Sequence, residues 1–144
     1  MKYLLRTRLV KDIVCEFMPP IKKSFKVMII CTGMPGYPKG EKYIELAEHF
    51  SKKGYWIFIP RYRGSWESDG EMFKESPEKD ILDVISSLSK DFVDLWDGTK
   101  YKIENPEVYI VGSSFGGPAS LLCSSDRRVK KLICFSTVFD WRTM

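Results

Sequence analysis

The chain has 144 residues, 44% of them hydrophobic and 29% charged, with a net charge of +4. That length and balance suit one globular domain with its own core and exclude disordered, collagen-like and disulfide-scaffold classes. The longest unbroken apolar run, Val27 to Cys31, is strand-sized and far short of a bilayer span, and the basic residues are scattered among acids.

The N-terminal segment carries Arg6 and Arg8 before any apolar stretch develops, so no secretory signal is expected. Tyr3 to Val10 and Asp12 to Phe17 predict the two strands of a hairpin, closed off by Pro19-Pro20, which cannot extend a ladder. Lys26 to Cys31 then predicts a strand buried on both faces, as in a parallel sheet. A glycine- and proline-rich break spans Gly33 to Pro38. Tyr43, Ile44, Leu46, Ala47 and Phe50 recur at helical spacing, and Gly54 stops that helix. Tyr55 to Ile59 is a second buried strand, followed by a polar loop from Arg61 to Glu71. Ile81, Leu82, Val84, Ile85 and Leu88 predict an amphipathic helix that starts near Ser76-Pro77 and runs on through Phe92, Val93 and Trp96. Val108 to Val111 is a third buried strand, Phe115 to Ser124 a helix, and Val129 to Phe135 a fourth strand.

Strands alternating with helices in this order predict an α/β fold: a mostly parallel twisted sheet with helices on both faces, preceded by an antiparallel hairpin. There is no internal repeat and no second domain boundary, so residues 1–144 are expected to form a single domain. The lysines at 22, 23 and 26, and the basic cluster Arg127, Arg128, Lys130 and Lys131, lie where loops enter strands. They read as solvated loops, with no nucleic-acid or membrane partner implied. Cys15, Cys31, Cys123 and Cys134 lack Cys-x-x-Cys spacing and sit in apolar segments. They are expected as core residues in a reducing, cytoplasmic setting, without metal or cofactor.

The strongest local signal is Gly112-Ser113-Ser114-Phe115-Gly116, which fits Gly-x-Ser-x-Gly between a predicted buried strand and a predicted helix. A serine on so tight a turn is forced into strained backbone angles, and its neighbours two before and two after must be small. Gly112 and Gly116 meet that need. The hydroxyl of Ser114 would stand clear at the carboxyl end of the sheet, where open α/β folds bind ligands. The amide of Phe115 would point at a developing oxyanion. The competing reading is a glycine-rich turn that merely starts a helix. A nucleotide-binding loop is disfavoured, because the glycine spacing fits neither nucleotide motif.

Two further segments give a family resemblance. Cys31-Thr32-Gly33-Met34-Pro35-Gly36 resembles the His-Gly-x-Pro loop of α/β-hydrolases, with Thr32 in place of the histidine. The run from Pro60 to Gly70, Pro-Arg-Tyr-Arg-Gly-Ser-Trp-Glu-Ser-Asp-Gly, is similar to a loop of prolyl oligopeptidase-type hydrolases, and Asp140-Trp141-Arg142 stands where that subgroup often carries the same triplet. The resemblance implies a serine hydrolase of peptidase or esterase type acting on an acyl substrate. Ser114 is then the nucleophile, and the backbone amides of Phe115 and Met34 form the oxyanion hole.

In this family the acid and the histidine follow the serine on later strands. Here 30 residues follow Ser114, and the one histidine, His49, precedes it in the first predicted helix. Asp140 follows its strand too early to be the acid, and Asp80 and Asp83 fall in the first turns of a helix, where carboxylates suit the macrodipole. The chain is therefore expected to be the N-terminal half of the domain, nearly inert alone because serine needs a base. Two classes of function follow: a hydrolase completed by a C-terminal hydrolase chain, or a catalytically inactive remnant serving as a binding or assembly module. Both predict a partner, a complementing chain or a second copy in a homodimer, because Val129 to Phe135 would be an exposed apolar edge.

Overall fold

Continuous apolar segments become the central strands of one six-stranded sheet, and the amphipathic segments between them become its covering helices. The computed structural model describes residues 3–34 and 40–140. In chain order the elements are β1 (Leu5–Val10), β2 (Ile13–Met18), β3 (Lys26–Cys31), α1 (Glu41–Lys52), β4 (Tyr55–Pro60), α2 (Glu78–Ser87), β5 (Phe92–Val93), β6 (Lys100–Tyr101), β7 (Glu107–Ser113), α3 (Gly116–Leu122) and β8 (Val129–Phe135). The large sheet has the order β1-β2-β4-β3-β7-β8. The β1–β2 hairpin joins β4 antiparallel, whereas β4, β3, β7 and β8 run parallel. This is the mostly parallel α/β architecture with an N-terminal hairpin that the sequence predicts.

Alternation along the strands sends side chains to two cores. Val27, Ile29 and Cys31 of β3 face one side, where they meet Ile81, Val84 and Ile85 of α2 and Ala119 of α3. Met28 and Ile30 face the other, with Ile57 and Ile59 of β4 and Ala47 of α1. Cover is unequal between the faces. On β7, Val108 and Ile110 are buried under α2 and α3, while Tyr109 and Val111 on the α1 side are only half-buried. On β8, Ile133 is 63% and Phe135 50% exposed. The last two strands, expected to be of buried type, are therefore covered on one face only among the described residues.

One expectation is corrected. The helix predicted to run through Phe92, Val93 and Trp96 ends at Ser87, and Phe92–Val93 pairs antiparallel with Lys100–Tyr101. Tertiary packing overrides the helical spacing here. Phe92 sits edge-on to Phe17, Trp56 and Phe58 at 5.4, 6.0 and 5.6 Å and stacks on Tyr101 at 5.7 Å. The carboxylate of Asp94 accepts the backbone N–H groups of Arg6 and Trp96 at 3.4 and 3.1 Å, which locks the turn that replaces the helix.

Candidate active site

The strand β7 ends in Ser113 and the helix α3 begins at Gly116, so Ser114 and Phe115 alone make the turn between them. Ser114 has φ of 50°, the left-handed region that non-glycine residues avoid. Its N–H donates to the carbonyl of Phe135 at 3.4 Å, and its carbonyl accepts from the N–H of Gly117 at 3.0 Å. A relaxed helical cap would have neither the left-handed φ nor this tie to β8.

The glycines around it are required by close approach. A Cβ on Gly116 would drive into the carbonyl of Cys31, because the start of α3 rests on the end of β3. A Cβ on Gly112 would strike the Ser120 side chain and the carbonyl of Gly116. Gly33, the glycine of the loop after β3, lies against the serine itself: a Cβ there would be 3.0 Å from Ser114 Cβ and 3.4 Å from its Oγ. The loop leaving β3 thus passes directly over Ser114, which sets Met34, one residue on and 37% exposed, at the same edge. Pro35 and Gly36 of the motif fall outside the described residues.

The loop is held from the other side by Tyr62, whose hydroxyl donates to the carbonyl of buried Thr32 at 3.1 Å. Burial raises the Tyr62 phenol well above its ordinary pKa, so it remains a neutral donor. Its ring stands edge-on to Phe115 at 5.0 Å. Cys31 ends β3 close by, but burial pushes its thiol up to about 12, which removes it as a competing nucleophile at neutral pH.

The segment between β4 and α2 is anchored by Arg63. Its guanidinium donates to Asp12 Oδ2 at 2.6 Å, Asp80 Oδ1 at 2.5 Å and Asp83 Oδ2 at 2.7 Å, and its backbone N–H to Asp80 Oδ2 at 2.9 Å. Asp80 and Asp83 are therefore engaged in holding this loop. Nothing in the sequence links Arg63 to Asp12, 51 positions away. Beyond the anchor, the loop presents Met72 and Phe73 beside Phe115, with the rings of Phe73 and Phe115 edge-on at 5.7 Å.

The remaining sequence candidates do not converge on Ser114. His49 lies near the C-terminal end of α1, and the neighbouring Ser51 hydroxyl donates to Pro19 O at 2.7 Å. Pro19 follows β2 at the amino ends of the parallel strands, whereas Ser114 follows the carboxyl end of β7. His49 is exposed there, against Phe50. Asp140 follows β8; Trp141 and Arg142 lie outside the described residues. Among the described residues no three His, Cys, Asp or Glu side chains gather as a metal site, and no helix is long and apolar enough to cross a membrane.

A strained serine between a parallel strand and a helix, under a glycine-bearing loop from the neighbouring strand, agrees with the family comparison. Residues 26–144 match the alpha/beta hydrolase fold family. The chain belongs to that family. Solved structures share the α/β-hydrolase fold at low identity. Alpha/beta hydrolase domain-containing protein 10 from mouse superposes with a TM-score of 0.63 at 19% identity, over 93% of this chain and 49% of that one. Est1E from Butyrivibrio proteoclasticus, solved with ferulic acid bound, gives 0.67 at 18%, over 89% and 50%. XC6422 from Xanthomonas campestris, described as an a/b serine hydrolase without lid, gives 0.70 at 14%, over 93% and 61%. The α/β-hydrolase domain described here thus spans about half the length of such structures. No protein of curated function matches the chain.

Proposed function

We propose that this domain is the nucleophile-bearing part of a serine hydrolase acting on ester or peptide acyl groups. The left-handed backbone of Ser114, at φ 50° between β7 and α3 and pressed against Gly33, is the observation that carries the reading. In the proposed reaction a base removes the Ser114 hydroxyl proton as Oγ bonds to the acyl carbon. The charge that develops on the carbonyl oxygen is met by the backbone N–H groups of Phe115 and Met34. The bond to the leaving group then breaks, the leaving group takes the proton, and water releases the acyl group from Ser114 by the reverse sequence.

The acid and base come from polypeptide outside residues 1–144, because the one histidine, His49, sits at the opposite end of the sheet. The similarity of Pro60 to Gly70 to the prolyl oligopeptidase-type loop supports the peptidase branch, and the structural neighbours support hydrolase chemistry in general. A second reading, an assembly module without catalysis, draws on Ile133 and Phe135, which stand 63% and 50% exposed on β8. Hydrolysis of an activated ester by the protein together with its accompanying polypeptide separates the two. Ser114→Ala is expected to lower kcat/KM about 10^4–10^6-fold. Activity indifferent to that change would favour the assembly module.

A further inference from the structure

We propose that the apolar hollow beside Ser114 receives a hydrophobic acyl group, which makes uncharged esters or amides of apolar acids the substrate class; this rests on Ser114 being the nucleophile. The hollow holds about 450 Å3 and is walled by Met34 from the loop after β3, Met72, Phe73 and Pro77 from the loop before α2, and Phe115 and Pro118 from the turn and α3. No charged side chain lines it among the described residues. Two of its walls, Met34 and Phe115, are the residues whose amides the proposed reaction turns toward the acyl oxygen. An acyl carbonyl held by those amides would place its substituent next to the Met34 and Phe115 walls of the hollow.

A second hollow of about 440 Å3 shares Met72, Phe73, Pro77 and Phe115 but adds Asp12, Arg63, Glu71, Lys74, Glu75 and Asp80. Phe73 therefore stands at the border of a charged compartment and an apolar one. Phe73 is 65% exposed, and its φ of 61° is left-handed. A bulky residue in that region is strained and persists only where the surroundings impose it. The Arg63 anchor supplies that constraint, together with Gly64, whose φ is 72° and whose Cα faces the backbone of Met72 too closely for any side chain. The loop thus fixes an aromatic wall against Phe115, the residue after Ser114. The two methionines, unbranched and adaptable, line the hollow in a way that tolerates chains of different length. Burying apolar surface here favours each added methylene by about fourfold in affinity, whereas a charged acyl tail would lose its hydration without a partner.

The test is a titration of 13C-methyl methionine resonances of the chain with octanamide, butanamide and succinamic acid, none of which needs turnover. Octanamide is expected to shift Met34 and Met72 saturably, to leave the buried Met18 and Met28 in place, and to bind more than about tenfold tighter than butanamide. Succinamic acid is expected not to bind. Phe73→Asp, or Met34→Glu on the opposite wall, is expected to weaken octanamide at least about tenfold. No saturable shift at Met34 and Met72, equal affinity for succinamic acid, or binding that survives both variants would overturn the assignment. The titration is repeated in Ser114→Ala, so that the hollow is read without the proposed nucleophile. A positive titration beside fluorophosphonate labelling that survives Ser114→Ala would sink the nucleophile and keep the hollow.

Discussion

Ser114 carries a backbone strain that the two-residue turn between β7 and α3 imposes. A non-glycine residue at φ 50° gives up about 1 kcal/mol or more relative to glycine, and the surrounding contacts hold it there. Ser114→Gly is therefore expected to raise the urea unfolding midpoint, by about 1 kcal/mol in stability, while Ser114→Ala, which keeps a Cβ, is expected to leave it nearly unchanged. Equal midpoints for all three proteins would show that the turn is not strained. The elbow was legible in the sequence because its chemistry is local: Gly112 and Gly116 flank the serine within two residues. Phe73 was not legible, since no residue pattern marks a phenylalanine for a left-handed backbone. Gly33 stood in a recognisable loop, but its contact with Ser114 arises only when β3 and β7 pair.

At the scale of elements, continuous apolar runs located β3 and β4 because each is buried on both faces. The extension of α2 failed for the complementary reason. Phe92 has helical spacing from Leu88, but its ring partners Phe17, Trp56 and Phe58 lie far back along the chain. The Arg63 anchor has the same long-range character, and it carries a pH dependence. The hydrogen bond from Arg63 lowers the pKa of Asp12 below its ordinary 3.8. A carboxylate whose folded pKa is depressed contributes stability in full above its unfolded value and loses it as pH falls through the folded one. Acidification below 3.8 is therefore expected to weaken the anchor of the loop before α2. Compared between about pH 6 and about pH 3, Asp12→Asn is expected to lose less stability than the parent chain in urea melts. Equal losses would mean that Asp12 does not hold the loop.

At the scale of the whole sheet, the described strands run from the β1–β2 hairpin at one edge to β8 at the other. The hairpin closes the β4 edge, where Glu16 is fully buried and paired with Arg6 at 3.1 Å and with Arg61. The opposite edge is β8, with Ile133 at 63% and Phe135 at 50% exposure, and Phe139, four residues past its end, is 79% exposed. Apolar surface concentrated on an edge strand usually marks an interface. Residues 1–144 are expected to sediment at micromolar concentration as a dimer or in complex with a second chain, and Phe135→Lys is expected to disperse a self-dimer. A monodisperse monomer that binds no hydrophobic dye would contradict this.

Ser114 is proposed as a nucleophile whose base lies outside residues 1–144. Fluorophosphonate labelling read by intact mass tests it most directly, on residues 1–144 alone and on the protein recovered natively with its accompanying polypeptide. No adduct is expected on residues 1–144 alone, and one adduct is expected in the native preparation, on Ser114 and absent from Ser114→Ala. Rapid labelling of Ser114 in residues 1–144 alone, whether or not His49→Ala abolishes it, or a native preparation in which Ser114 takes no adduct, would contradict it.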